Sequence, residues 1–501
     1  MKNTVKKGKA LRTLSTKFNI ESLNLPARSS IFFTLTNLVC KGAAFLFTPF
    51  FTRLLSGSDY GEYSLFSTFL SLSAVAVTLE ISGGIIMRLF QKEREKHFLS
   101  IFSAWLISVA LAIPTVALLW LIYKTTGFGM TFPFAYLFLF ISLISISLIN
   151  LFVSRCKFLY SWIPPLITSL MQSVAAPIIS IALLRIGYIS QSNHVSVKIG
   201  AVSSVLLFTA ICLAIITSRH ARVEAREQKM SFSDTRSFIL SSTRFLLKLA
   251  LPLLPYYLSI MIISQADKLF ISSIFGKSEL AKYSVAYSAG VALTAVTSGI
   301  MGALSPWIMR RTRAGEYERI RETLSLIISA SVPIIIIFLC FSPEFFAFLA
   351  PKEYGSTLPV LFISALIPIP LALAQCSSSI AIAKEKVGGV LFSGIFPATA
   401  TLALDSLIIK RAPIYSAAII TALGFITLAA IGVANIRKIT KNYTINVNKT
   451  FQNLLILIFL STTVYLLRDF LFPRIIIASI SSLALALMAK PLITLLKESG
   501  T

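Results

Sequence analysis

The chain is poor in the side chains that most catalysis uses. It has three histidines, five cysteines and 20 acidic residues in 501 positions. His97, His194 and His220 all fall in segments that read as loops, which argues against a histidine proton relay inside an apolar span. Cys40, Cys156, Cys212, Cys340 and Cys376 stand singly within or beside apolar runs, without CxxC or ligand-like spacing. That is the pattern of small buried hydrophobes, not of a metal site. No Walker A sequence, HExxH, GxSxG or DxD element occurs, and no outer loop is long enough for a catalytic domain. The reading is therefore of a protein that is not an enzyme and needs no cofactor. A membrane enzyme would have to build its site wholly from span ends.

Charge of either sign is scarce too. Only 13% of residues are charged against 56% hydrophobic, and the mean hydropathy is +0.82; a soluble domain of this length carries roughly 25% charged residues. About 20 mostly apolar residues suffice for a helix to cross the hydrocarbon, and runs of that length recur from Ser30 to Leu495. Barrel strands alternate apolar and polar residues, whereas these runs are continuous. The fold class is an all-α polytopic membrane protein. Fourteen windows qualify as spans: 30–52, 63–88, 98–122, 133–154, 163–186, 197–218, 245–274, 283–309, 322–349, 357–382, 386–409, 413–434, 451–467 and 471–495. Residues 1–29 read as a basic cytoplasmic tail without the apolar core of a signal peptide, suited to an anionic lipid surface.

With the N-terminus inside, and residues within five of a span end counted with the adjoining loop, the tails and even-numbered loops hold 33 of the 46 Lys and Arg, the odd-numbered loops 11, and two, Lys41 and Lys268, lie deeper within spans. Cytoplasmic loops retain Lys and Arg, so both termini are placed in the cytoplasm. The net charge of +26 is then mostly a topology signal. The stretch RRTRAGEYERIR at 310–321 is part of it and not a nucleic-acid surface.

The longest hydrophilic segment, 219–244, separates six spans (30–218) from six more (245–434); residues 435–501 add two spans and a tail. A transporter built of two similar halves places its linker there. SDYGEYSL at 58–65 aligns with SELAKYSV at 278–285, a constant offset of 220, each leading into an even-numbered span. Two six-helix lobes related by a parallel repeat, plus two C-terminal helices, are expected.

An ionisable group at membrane depth costs about 2.5–3.5 kcal/mol at mid-helix, so by default it is paired or functional. Lys41 stands mid-span on a stripe of Thr34, Asn37, Thr48 and Thr52, a single helix face; Pro49 bends the helix and Arg53 ends it. Lys41 is either a structural partner of Glu80, which shares a face with Ser73 and Gly84, or a cation lining a cavity for an anionic substrate. Asp267 and Lys268 lie side by side in the seventh span. Adjacent helical residues point about 100° apart, so the two are not each other's salt bridge. Lys268 is long enough to snorkel to the headgroups, whereas Asp267 needs a buried partner or an aqueous cavity. Arg185 and Asp405 fall near span ends, where snorkelling or boundary placement accounts for them.

Two segments carry a resemblance. NLVCKGAAFLFTPFFTRLLSGSDYGEYSLF at 37–66 places an Asn and a Lys before a Pro, a Thr-Arg pair and a Tyr-Gly turn; ALPLLPYYLSIMIISQADKLFISSIFGKSELAKYSVAYS at 250–288 gives a proline-containing helix, an Asp with a basic residue, then Gly and a Tyr-bearing helix. With the span layout, this resembles the Wzx-type polysaccharide-transporter branch of the multidrug/oligosaccharidyl-lipid/polysaccharide exporter superfamily. The resemblance implies translocation of an undecaprenyl-diphosphate-linked oligosaccharide, an O-antigen, capsule or exopolysaccharide repeat unit, from the inner to the outer leaflet of a bacterial cytoplasmic membrane by alternating access. It implies Asn37, Lys41 and Arg53 as substrate contacts, with Glu80 and Asp267 as counter-ions or sites for a coupling Na+ or H+. Membrane lipids, a polysaccharide polymerase and a chain-length regulator are the implied partners. Relatives with fourteen spans use the last two beside a lipid-facing groove, which by analogy would take the polyprenyl tail. A cation-coupled multidrug antiporter of the same superfamily is the other transporter reading; its cavity would be acidic.

Overall fold

The computed structural model describes residues 25–93, 95–132, 134–186, 194–384, 388–442 and 444–499. Within those ranges the side chains of Asn37 and Lys41, among others, lie outside the described residues. All regular structure among the described residues is helical. In chain order the helices are α1 (Leu25–Leu54), α2 (Gly57–Thr78), α3 (Ile85–Lys92), α4 (His97–Thr126), α5 (Ala135–Phe158), α6 (Ile163–Leu170), α7 (Ala176–Arg185) and α8 (His194–Glu227). Then come α9 (Phe232–Ala250), α10 (Leu254–Ile274), α11 (Lys277–Val291), α12 (Thr294–Ala314), α13 (Tyr317–Cys340), α14 (Ser342–Leu349), α15 (Leu358–Ser364) and α16 (Pro368–Ala383). The last four are α17 (Gly388–Ile408), α18 (Tyr415–Thr440), α19 (Val447–Leu466) and α20 (Leu471–Ser499).

Each sequence window coincides with a helix or a run of abutting helices. By length and apolarity, ten described spans can cross a membrane, or eleven if α11 and α12, bent by 44° where they meet, count as one. Fourteen crossings are thus not established. The second window fails because α2 carries Asp59, Glu62 and a row of hydroxyls; α17 qualifies only as a shorter apolar helix, Ser393–Ile408.

Buried side chains divide the chain near residue 255. Two clusters draw on residues 66–254, one around Ile86, Phe90 and Ile101 and one around Leu139 and Leu143. A third, around Tyr283, Ile336 and Cys376, draws on Leu65 and residues 256–478. The segment 219–244 is largely helical: α8 runs on to Glu227, and α9 opens on a capping box in which Ser231 and Asp234 exchange backbone hydrogen bonds, each satisfying an otherwise open N–H.

The bundles meet where α2 packs on α10 and α11 and where α1 packs on α12. Glycine decides this seam. A Cβ on Gly61 would lie 1.8 Å from the Lys277 carbonyl oxygen, and one on Gly57 2.8 Å from the Ser278 hydroxyl, so α2 and α11 cross with backbones in contact. These are the two aligned segments of the repeat, now packed against each other.

The second window does not hold a straight helix. Leu79 and Glu80 adopt left-handed conformations (φ 48° and 50°) and Gly84 has φ 136°, a value that glycine alone takes readily. The Ile-Ser-Gly-Gly run therefore breaks the span, and Glu80 does not share a helical face with Ser73 and Gly84 as the sequence suggested.

The C-terminal helices α19 and α20 pack on α13. Arg474, buried at the start of α20, donates to both carboxylate oxygens of Glu344 and, at 2.7 Å, to the Cys340 carbonyl. A buried cation that loses its partner carries its full desolvation cost. Glu344→Gln is therefore expected to lower stability by about 1–3 kcal/mol. The check is the thermal midpoint of the purified protein in detergent, with transport rate as the second readout, which should stay unchanged.

Candidate functional site

Between the two bundles lies a cavity of about 530 Å³, within the usual size of small-ligand sites. One wall is α1 and α2, contributing Phe47, Thr48, Phe51, Tyr60, Tyr63 and the hydroxyl row Ser64, Ser67, Thr68 and Ser71. The row follows from i, i+3, i+4, i+7 spacing on one helix face. α10 and α11 face it with Gln265, Ser284, Tyr287 and Ser288, and Gln172 and Lys198 close the side. Among the described residues the charged lining groups are two lysines, Lys198 from one bundle and Lys268 from the other, and no carboxylate lines the cavity.

Lys198, 2% exposed, stands one turn into α8. Its ammonium lies 3.9, 4.7 and 3.3 Å from the ring centroids of Phe51, Tyr60 and Tyr63. A cation–π cage of this kind offsets part of the cost of burial while leaving the charge without a counter-anion. Sequence alone does not single it out: Lys198 stands one residue inside the sixth window, at the outer end, and counts with the adjoining outer loop in the charge asymmetry. The available signal was its flank, since Val195, Val197 and Ile199 continue the apolar run on both sides.

Lys268 is not a headgroup anchor. Buried to 8%, its ammonium donates to Gln265 Oε1 at 2.7 Å and to the Ser264 carbonyl at 3.4 Å, and it lies 4.5 Å from the Tyr287 ring centroid. Asp267 turns the other way, into the C-terminal bundle. It accepts from the Tyr283 hydroxyl, from Thr421 Oγ1 at 3.2 Å and from the Lys268 backbone N–H at 2.8 Å. Asp405 on α17, the helix packed most closely on α10, is fully buried. Neither of its oxygens has a hydrogen-bond partner among the described residues. Asp405 does stand one turn from the end of α17, but it does not snorkel: the α10–α17 contact closes over it.

Arg53 does not line the cavity. Its guanidinium donates to the Phe348 carbonyl at 3.2 Å, and its neighbour Thr52 donates to the Leu349 carbonyl at 2.8 Å, fastening α1 to α14. At the same end Lys277 pairs with Glu62 and donates to Thr131 at 2.8 Å. These contacts tie the bundles together where α2 and α11 begin. Glu80 lies in the α2–α3 break, outside the cavity wall, and Arg185 is an exposed last residue of α7. The side chains of Asn37 and Lys41 lie outside the described residues, although Thr48 of their stripe reaches the cavity. Among the described residues no cluster of three His, Cys, Asp or Glu could hold a metal ion.

A family model described as "Polysaccharide biosynthesis protein" matches residues 27–311. The chain belongs to that family. No curated protein matches it. Among solved structures it is similar to the lipid II flippase MurJ in an inward closed conformation, at 16% identity and TM-score 0.62, covering 92% of this chain and 100% of that one. It is also similar to a mutant of the MATE transporter VcmN of Vibrio cholerae (15%, TM-score 0.58, 85% and 98% covered). A third is a MOP superfamily transporter of Pyrococcus furiosus (13%, TM-score 0.57, 83% and 96% covered). The fold is thus that of the MOP-type flippases and transporters rather than of an enzyme, as the missing catalytic motifs led one to expect. This family member is a multi-pass membrane protein.

Proposed function

We propose that the chain is a flippase for a polyprenyl-diphosphate-linked oligosaccharide of surface-polysaccharide assembly, working by alternating access in a bacterial cytoplasmic membrane with both termini inside. The observation that carries this reading is the cavity with Lys198 and Lys268 from opposite bundles and no lining carboxylate among the described residues. A cationic drug would meet only repulsion there. A diphosphate would find two charge-assisted contacts, and a sugar the hydroxyl and tyrosine walls. The family match and the likeness to a lipid II flippase support the cargo class. The Lys and Arg asymmetry between loops supports the sidedness.

Coupling falls to the second charged site. Asp267 and Asp405 are two buried carboxylates on α10 and α17, helices packed against each other, and the second has no donor among the described residues. Burying an unpaired charge there is prohibitive, so the pair takes up one cation, a proton or Na+, and its occupancy biases how α10, α17 and α18 pack. Asp405→Asn should leave the protein folded and remove the dependence of transport on the ion gradient. Flux that still follows an imposed sodium or proton gradient in vesicles would rule the pair out.

The direct test of the function is reconstitution. Vesicles containing the protein and an undecaprenyl-diphosphate-linked fluorescent oligosaccharide are probed with a membrane-impermeant sugar-oxidising reagent. Protein-dependent crossing is expected; crossing no faster than in protein-free vesicles would overturn the proposal.

A further inference from the structure

On the far side of the α6–α7 wall from the cavity lies an apolar groove of about 600 Å³. Its floor and sides are Met171, Ala175, Ile179 and Leu183 on one helix run and Ala201, Val205 and Phe208 on α8, with Ser196 at one end. Ile179, Leu183 and Phe208 are 43%, 42% and 65% exposed, so the groove opens away from the protein interior. From Ser196 to Phe208 it follows about 18 Å of α8 at 1.5 Å per residue.

Three features set this groove apart from ordinary lipid-facing surface. First, it shares its helices with the cavity at the same heights. Gln172 and Ser173 line the cavity while Met171 and Ala175 line the groove; on α8, Lys198 and Val202 line the cavity while Val197 and Ala201 line the groove. Only one layer of helix separates a buried cation from an apolar trough. Second, that layer is deformed at the shared height, where Met171–Ala175 forms a π-helical turn between α6 and α7; such turns are rare and concentrate at functional sites. Third, the Ser196 hydroxyl at the groove's end is buried without a hydrogen-bond partner among the described residues, and such a group is ordinarily satisfied.

We infer that this groove holds the first stretch of the cargo's isoprenoid tail while the diphosphate sits at Lys198 and Lys268. The inference rests on the proposed cargo. A lipid-linked sugar has to keep its tail among apolar groups while its headgroup enters a polar cavity, and the groove supplies apolar surface directly across one helix wall from the cations. The tail leaves the headgroup at the π turn, where the α-helical ladder is interrupted and the side chains at that height, Ala175 on the wall and Ala201 on α8, are small. This assigns the tail to α6–α8 and not to the α19–α20 pair: those helices contribute nothing to the cavity, so a tail there would be parted from its headgroup.

Photo-crosslinking tests this in the full-length protein in nanodiscs of phosphatidylethanolamine and phosphatidylglycerol. p-Benzoylphenylalanine replaces Phe208 in the groove, Phe47 in the cavity, or Phe459 on the exposed face of α19, and the probe is undecaprenyl diphosphate labelled with ³²P. Light-dependent labelling at Phe208 should exceed that at Phe459 at least tenfold and survive a 100-fold excess of phosphatidylglycerol. Labelling at Phe47 with Phe208 no better than Phe459 would overturn the tail site and leave the cargo reading standing. Labelling at Phe208 that phosphatidylglycerol displaces would show an ordinary lipid there and overturn the assignment. No labelling at either Phe47 or Phe208 would overturn the cargo reading with it.

Discussion

Replacing Lys198 by methionine is expected to abolish transport while leaving the protein as stable as before, or more so. The two effects have opposite signs for one reason. Lys198 is a cation among the rings of Phe51, Tyr60 and Tyr63 with no carboxylate beside it among the described residues, and a buried charge without a counter-ion is a cost to the fold. Methionine keeps most of the volume and removes the charge. The anion that would repay the cost is the cargo. Losing one partner of a desolvated charge pair weakens binding by about 2–5 kcal/mol, roughly 30- to 4,000-fold. Binding of undecaprenyl diphosphate to the purified variant, with its thermal midpoint, separates the effects. Unchanged affinity would show that Lys198 is filler; a collapsed midpoint would show that it is structural. Lys268→Met should behave alike, though less severely, because Gln265 already satisfies part of that ammonium. If both lysines hold one diphosphate, the double variant should lose less than the sum of the single losses, since either change alone removes the geometry the other uses.

How much of this was legible in the sequence depends on what decided each feature. Span positions were, because twenty apolar residues in a row admit few alternatives. The repeat at 58–65 and 278–285 was legible as a similarity, but not as a contact: that the segments pack on each other follows from Gly57 and Gly61, whose missing Cβ matters only once a second helix is present. Asp267 was recognised as needing a buried partner, and Tyr283 and Thr421 supply it from 16 and 154 residues away. Lys268 was left undecided because snorkelling and cavity lining make the same demand on sequence, a lysine near a helix end. Lys198 is hidden for the same reason, and Asp405 because a carboxylate in the last turn of a span carries no sign in the sequence that a neighbouring helix covers it. Each is settled by which neighbour covers the residue, a fact of tertiary packing. The break at Leu79 and Glu80 was passed over although Gly83 and Gly84 announced it.

The seam between α2 and α11 is expected to act as a switchable lock. A Cβ built on Gly57 lies 3.7 Å from the Cβ of Ser278, inside the 3.5–4.5 Å range a disulfide spans. Gly57→Cys with Ser278→Cys, in a background where the exposed Cys212 is serine, should therefore form a bond without moving either helix. The bond would join the bundles where Lys277 meets Glu62 and Arg53 meets Phe348. Alternating access as proposed would need these contacts to part and re-form in every cycle. Oxidation should reduce transport to background and reductant restore it, while each single variant stays active; the pair of outcomes separates a mechanical block from damage to the site. Cargo binding should survive the lock, since Lys198 and Lys268 lie inside the cavity rather than at the seam. Transport that continues with the bond verified by mass would mean that cargo crosses without separation of α2 from α11, and the path would then have to run through one bundle or along its membrane face.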